Sequence, residues 1–121
     1  MILDKLFSIK DELSILFNTP LPIKTSMRLG KFIKVVNEEF KLFNELRNNK
    51  IKELGQEDEK GNIVIKEDSE EYKQFVKEIE EALLENIEVD LPEISVEELQ
   101  GIKLTTQQLL KLTEVGVIKD V

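Results

Sequence analysis

"TPLPIKTSMRLGKFIKVVNEEFKLFNELRNNKIKELG", from Thr19 to Gly55, carries the strongest structural pattern in this chain. Its apolar residues recur at alternating spacings of three and four, which is the spacing of one face of an α-helix. Two prolines near its start must interrupt any preceding helix, and the glycine at its end is a common helix stop. The pattern therefore predicts one long helix that begins between Ile23 and Ser26 and ends at Leu54.

The predicted helix has about thirty residues and is roughly 45 Å long at 1.5 Å per residue. Its apolar stripe is wide and runs from Met27 to Leu46. Residues 3–17 predict a shorter amphipathic helix that covers part of this stripe, and a third helix can cover another part. The surplus predicts an isologous dimer, since such dimers are the commonest soluble assembly. The residues that we predict at the dimer interface are Met27, Phe32, Ile33, Val36, Phe40 and Phe43.

The region after the long helix predicts two short strands with a helix between them. Residues 63–65 are β-branched and follow a turn signal, and residues 87–91 alternate apolar and acidic side chains. Both patterns are typical of short strands, so we expect the two segments to pair with each other. Between them, Asp68 and Glu71 have the spacing of a capping box that opens an amphipathic helix.

Two further caps mark the C-terminal region. Ser95 with Glu98 predicts one helical turn, and Thr105 with Gln108 predicts the start of a last short helix. Together the elements predict a mainly α protein with a single helical domain over residues 1–121. Its fold class is a long-helix bundle with a small two-stranded β appendage (α+β).

The composition excludes several kinds of catalytic and metal site. The 121 residues contain no cysteine, histidine or tryptophan. One chain therefore cannot build a Ser-His-Asp or Cys-His catalytic group, and it lacks the usual nitrogen and sulfur ligands of zinc. It also has no glycine loop of the kind that cradles phosphates. We predict that the protein is not an enzyme and needs no cofactor.

Charge and hydropathy limit the partners further. The net charge of −8 is unfavourable for direct binding of nucleic acid, because phosphate binding needs clustered Lys and Arg side chains. The apolar runs are too short to span a bilayer, and the first residues lack a signal-peptide cleavage pattern. We therefore expect a protein partner, with neither a membrane nor a nucleic acid bound directly.

The acidic turn "GQEDEKGNIVIKED", residues 55–68, resembles part of a calcium-binding EF-hand loop. Aligning Gly61 with the glycine of that loop places an aliphatic residue at position eight and Glu67 at position twelve, as the loop requires. However, position one is a neutral glutamine and position five is Lys60, which puts a cation where the ion belongs. Asp58 and Glu67 remain the weak candidate ligands. We predict a structural turn, with a degenerate calcium-binding module as an alternative.

A basic stripe lies near the start of the long helix. Its members are separated by four, three and three positions, so they share one side of the helix: Lys24, Arg28, Lys31 and Lys34. We predict that these residues pair with carboxylates of the same chain or of a second copy. The alternative is that they bind a phosphate group or an acidic partner surface.

The amphipathic helix after the turn carries a cluster of carboxylates. Its members are Glu78, Glu80, Glu81 and Glu85. Catalytic carboxylate pairs need different environments that separate their pKa values. These residues lie on or beside the solvent face of the helix, so we interpret them as a solubilising surface.

The order of segments resembles that of a group of small uncharacterised proteins encoded by tailed bacteriophages and prophages. The resemblance covers nearly the whole chain and is carried by "TPLPIKTSMRLGKFIKVVNEEFKLFNELRNNKIKELG", "DEKGNIVI", "VDLPEI" and "LTTQQLLKL". It is a similarity of layout and composition, without a catalytic signature. It implies a phage-encoded protein that acts in the host cytoplasm or during virion assembly.

Three functions follow from these observations. The first is a non-enzymatic interaction protein that self-associates through its long helix and serves as assembly helper, virion accessory or binder of a host factor. The second is an acidic inhibitor whose carboxylate rows occupy the nucleic-acid site of a partner enzyme. The third is the degenerate calcium-binding module.

Overall fold

The computed structural model describes residues 1–99 and 101–119. Within these residues the fold contains five α-helices, one 3₁₀ turn and four two-residue strands. In chain order they are α1 Leu3–Ser8, α2 Lys10–Phe17, α3 Ile23–Leu54, β1 Gln56–Glu57, β2 Ile63–Val64, α4 Glu70–Leu83, β3 Ile94–Ser95, the 3₁₀ turn Glu97–Leu99, α5 Thr106–Val115 and β4 Ile118–Lys119. The mainly α fold class with small β elements is confirmed.

The long helix α3 is continuous over its 32 residues, as the sequence predicts. It starts after Pro22, whose carbonyl accepts the first helical hydrogen bond from the N–H of Ser26. It ends at Gly55, where a Cβ atom would lie 2.5 Å from the carbonyl oxygen of Ile51. The stop at Gly55 therefore depends on the missing side chain, because the backbone φ of −86° is open to any residue.

The first predicted helix is two helices, so the single helix over residues 3–17 is wrong. The chain breaks at Ile9, which has φ −108° and ψ 12° and is completely buried. The N–H of Ile9 bonds the carbonyl of Leu6 three residues back, and the hydroxyl of Ser8 donates to the carbonyl of Lys5. This hydroxyl competes for a backbone carbonyl, which favours a tight turn over continued helix.

The cap of α4 also differs from the prediction. The N-cap residue is Ser69, whose hydroxyl oxygen accepts a 3.1 Å hydrogen bond from the N–H of Tyr72. Asp68 lies one position too early to reach that donor, so the capping box of Asp68 and Glu71 is wrong. Serine is as good an N-cap as aspartate, and the spacing rule does not separate neighbouring candidates. The predicted capping box of Thr105 and Gln108 is confirmed.

The strand pairing in the sequence prediction is wrong. β2 pairs with β1 in an antiparallel hairpin, and β3 pairs with β4 in a parallel ladder. Residues 87–91 belong to neither sheet, and Ile87 instead donates its N–H to the carbonyl of Met1. The hairpin partner of β2 lies only a short turn away in sequence, so closing it costs less entropy than reaching across α4.

The core surrounds the first half of α3. Buried side chains from α1, α2, the C-terminal segments and one face of α3 form a single cluster. At its edge the partly buried Phe7 ring stacks on Phe40, with 4.3 Å between ring centroids, and meets Phe43 edge-on, with 5.1 Å between centroids. α3 also contacts α4 and β2, and residues of its second half line a cavity with Glu78, Ile79 and Ala82 of α4. The first half of α3 is therefore covered by other elements on several sides, and its second half is less covered.

Candidate interaction surfaces

The six residues that we predict at the dimer interface do not form one exposed surface in the structure. Phe32, Ile33, Val36 and Phe40 are at most 7% exposed, because α1, α2 and the C-terminal segments cover them. These four residues are corrected to core residues of the single chain. Phe43 is half-buried, and only Met27 is exposed.

The exposed apolar surface of α3 lies on a different flank, at Leu42 and Leu46. These side chains are 51% and 58% exposed. They border two adjoining cavities of about 300 and 170 Å³ between α3 and α4, which share Phe43, Leu46 and Ala82. We call the surface formed by Leu42, Phe43, Leu46, Ile79 and Ala82 the α3–α4 face. In the sequence, the α3–α4 face is indicated by two leucines, Leu42 and Leu46, which lie four positions apart beside the main apolar stripe of α3.

The predicted basic stripe is split between two sides of α3. Arg28 and Lys31 line a groove of about 680 Å³ against residues 86–92. Lys34 lines a separate groove between α2 and α3. Arg28 pairs with Glu98 of the same chain, which confirms intrachain pairing for this residue. Lys24, Lys31 and Lys34 make no ion pair within residues 1–99 and 101–119.

The Arg28 pair belongs to a small polar network centred on Glu98. One carboxylate oxygen accepts hydrogen bonds from Arg28 and, at 3.0 Å, from the hydroxyl of Thr25, which is 1% exposed. The other accepts a 2.8 Å hydrogen bond from the N–H of Ser95. The Ser95 hydrogen bond, with smaller help from Thr25 and Arg28, holds the pKa of Glu98 below its ordinary value. The network includes Ser95 and Glu98, the predicted cap of the 3₁₀ turn, and it connects that turn to α3.

The acidic turn is the hairpin between β1 and β2. One oxygen of the Asp58 carboxylate accepts hydrogen bonds from the N–H groups of Lys60 and Asn62, both at 2.9 Å. The N–H of Asp58 donates to the carbonyl of Asn62, and Gly61 takes a φ of +81° that favours glycine. The prediction of a structural turn is confirmed. Asp58 is engaged in this turn and Glu67 is an exposed residue after β2. Among the described residues, no group of three or more His, Cys, Asp or Glu side chains is placed to hold a metal ion.

The carboxylates of α4 give the molecule a strong charge asymmetry. Residues 51–90 contain 14 acidic side chains against 5 lysines, whereas residues 1–50 contain 6 acidic and 9 basic side chains. Glu80, Glu81 and Glu85 are exposed. Glu78 forms an ion pair with Lys50 at 3.3 Å, and this carboxylate, ahead of Glu53, raises the pKa of Lys50. The acidic charge therefore lies at the hairpin end of α3 and along α4.

No helix in the described part of the chain is long and apolar enough to cross a membrane. Comparison of the chain with protein-family models, with curated proteins and with solved structures found no match. The resemblance to phage-encoded proteins therefore stays a prediction.

Proposed function

We propose that this protein is a non-enzymatic interaction protein that self-associates through the α3–α4 face. The observation that supports the proposal is the exposure of Leu42 and Leu46, at 51% and 58%, beside the mainly apolar cavities between α3 and α4. Exposed apolar patches that consist of large side chains beside a cavity are typical of protein interfaces. In a two-fold dimer, Leu42 and Leu46 of each copy can pack into the cavities between α3 and α4 of the other copy, because the symmetry repeats every contact.

The charge distribution favours an antiparallel pairing of two α3 helices. The exposed lysines Lys24 and Lys31 lie towards the start of α3, and Glu53 and Glu57 lie at its hairpin end. Antiparallel helices place the basic end of one copy beside the acidic end of the other. Parallel helices would place like charges together, which opposes association. The pairing also supplies carboxylates for Lys24 and Lys31, which form no ion pair within the described residues.

The proposed role within the cell follows the resemblance stated above. A phage-encoded dimer in the host cytoplasm, acting as assembly helper, virion accessory or binder of a host factor, fits a chain that presents helical surfaces. The proposal of self-association does not depend on that context, since it can be tested on the purified protein.

The test is the mass of the protein in solution, measured by sedimentation velocity over a range of concentrations. We expect wild-type protein to form a dimer and the Leu46→Glu variant to sediment as a monomer. The matched control is Leu110→Glu, because Leu110 is 56% exposed on α5, away from the α3–α4 face. A monomeric wild-type protein, or a dimer that both variants leave intact, would contradict the proposal.

The acidic inhibitor is a second candidate, and the excess of 14 acidic side chains over 5 lysines in residues 51–90 favours it. A dense negative surface of this kind attracts a basic groove on a partner enzyme. Its affinity must fall steeply with salt, because exposed charges are screened within about 8 Å at physiological ionic strength. Binding to a DNA-binding enzyme that does not compete with DNA would exclude this role.

A further inference from the structure

A second apolar groove lies between α2 and α3, on the other flank of α3 from the α3–α4 face. It consists of two adjoining cavities of about 220 and 360 Å³, which share Phe17, Ile33 and Asn37. We call it the α2–α3 groove. Phe17, the last residue of α2, stands beside it with 66% of its surface exposed. Aromatic side chains are enriched at protein interfaces relative to the rest of the surface.

Gly30 gives an independent indication in the same groove. It lies in the interior of α3, where glycine destabilises a helix relative to alanine. Apart from the neighbouring residues and the adjacent backbone of α3, no heavy atom of the described residues would lie within 4 Å of a Cβ atom at this position. Intrachain packing therefore does not explain the glycine. A missing side chain on a helix surface allows another backbone to approach closely.

The charges around the groove indicate what fits it. Three lysines line its walls, Lys10 from α2 and Lys34 and Lys41 from α3, against the single carboxylate of Glu38. All three lysines are exposed, and none forms an ion pair in the part of the chain that the structure describes. This is a locally basic surface on a protein whose net charge is −8.

We propose that the α2–α3 groove is the docking site for an acidic amphipathic helix of another protein. Apolar side chains of that helix pack on Phe17 and Ile33, and its backbone approaches closely at Gly30. Its carboxylates lie beside Lys10, Lys34 and Lys41. A second copy of this chain is a poor occupant under two-fold symmetry, because an isologous contact would set these lysines against each other.

This inference goes beyond the proposed self-association, since it uses a different flank of α3 and a different partner. The two can fail separately. Leu46→Glu tests the dimer, and substitutions in the α2–α3 groove test the docking of a foreign helix. A helix in a groove is a recurring mode of recognition, and its anchors repeat at spacings of three and four.

The first experiment is a selection from a display library of random 16-residue peptides on the immobilised full-length protein. We expect enriched peptides to be rich in Asp and Glu, with apolar residues three and four positions apart. A synthetic peptide of the consensus sequence is then titrated calorimetrically. Failure to enrich any consensus, or enrichment of basic peptides, would overturn the proposal.

The second experiment uses groove variants with matched controls. Gly30→Gln fills the open space with a neutral helix-forming side chain, and we expect at least tenfold weaker binding of the peptide with no loss of thermal stability. The control Asn48→Gln lies on the same side of α3, about 27 Å away at 1.5 Å per residue. The double variant Lys34→Glu, Lys41→Glu should also weaken binding at least tenfold. The control Lys66→Glu, Lys103→Glu makes the same charge change at two exposed lysines that lie outside both the groove and the α3–α4 face.

The outcomes separate docking from other roles of the groove. Equal binding by the groove variants and their controls would place the peptide elsewhere and overturn the proposal. If Gly30→Gln instead disrupts the dimer in sedimentation, the occupant is a second copy of this chain, which also overturns it. Loss of binding in both groove variants, with an intact dimer and unchanged binding by both controls, is the result we expect.

Discussion

At the scale of single residues, Glu98 links the 3₁₀ turn to α3 through hydrogen bonds that both of its carboxylate oxygens accept. We predict that Glu98→Gln lowers the free energy of unfolding at pH 7 by about 1.5 kcal/mol, since hydrogen bonds to charged groups contribute about this much. The lower end of the usual range applies because the side chain is 29% exposed. Chemical denaturation measures the change.

The pH dependence of this effect follows from the lowered pKa of Glu98. A carboxyl group with a lowered pKa in the folded state stabilises the protein above its unfolded pKa and loses that contribution as the pH falls through its folded pKa. The difference between wild type and Glu98→Gln should therefore be constant above about pH 5 and shrink in acid. A difference that grows as the pH falls would show that the carboxylate is not stabilised by the network.

Glu12 is a buried carboxylate with one partner. Its side chain is 8% exposed, one oxygen lies 3.4 Å from Nζ of Lys111, and the other oxygen accepts no hydrogen bond in the described part of the chain. We predict that Lys111→Met lowers the free energy of unfolding by about 1–3 kcal/mol, because the buried charge loses its partner. Glu12→Leu should change it by less than about 1 kcal/mol, because it removes the buried charge itself. Urea denaturation of both variants at one protein concentration tests the asymmetry, and a larger cost for Glu12→Leu would contradict it.

At the scale of secondary-structure elements, Gly30 within α3 and Gly55 at the C-terminal end of α3 behave differently. Gly55 ends the helix where a Cβ atom would lie 2.5 Å from the carbonyl oxygen of Ile51 and 3.0 Å from that of Val64. Both obstacles are backbone atoms, so Gly55→Ala should lower the free energy of unfolding by about 1–3 kcal/mol. Gly30→Ala is the matched control, and it should raise that free energy by about 0.5–1 kcal/mol.

Thermal unfolding of the two alanine variants checks this prediction. If both substitutions change the free energy of unfolding by the same amount, only helix propensity matters. A Cβ atom at position 55 would then meet no steric obstacle from the hairpin. The comparison also bears on the α2–α3 groove, since a stabilising Gly30→Ala would show that the glycine costs stability in the isolated protein.

The predictions of single elements that are confirmed depend on local patterns. The extent of α3, its stop at Gly55 and the cap of α5 depend on residues within one or two turns of each other, and all three are confirmed. The break at Ile9 was missed because the apolar spacing continues through it. The hydrogen bond of the Ser8 hydroxyl favours a tight turn there, and the packing of α1 and α2 completely buries Ile9 at the turn.

At the scale of the whole molecule, the charge asymmetry predicts how self-association responds to salt. The proposed antiparallel pairing sets the basic start of α3 against the acidic hairpin end of a second copy. Raising the salt concentration from 50 to 500 mM should therefore weaken the dimer, because exposed pairs lose most of their attraction to screening. Sedimentation equilibrium at both concentrations measures the change. A dimer that becomes tighter in high salt would indicate an interface held by apolar contact alone, with like charges facing each other.

The predicted interface shows where sequence reasoning failed at this scale. The sequence identifies an apolar stripe that is too wide for one partner, and that remains true of α3. It assigned the stripe's central residues to a second copy, whereas α1, α2 and the C-terminal segments bury Phe32, Ile33, Val36 and Phe40. The exposed remainder is Leu42 and Leu46, on the flank that α4 leaves open. Helical periodicity locates the apolar positions, but it does not show which of them the rest of the chain will cover.

Local pattern was enough to specify the long helix, its ends, the acidic turn and the absence of catalytic histidine and cysteine, because each depends on residue type or on neighbours a few positions apart. Folding in three dimensions selected the partners of the strands, the network around Glu98 and the flanks of α3 that stay open. These features join segments as distant as Thr25 and Glu98, which are 73 positions apart. Such contacts form through shape and burial between remote segments, and that information is not carried by the spacing of residues along any one of them.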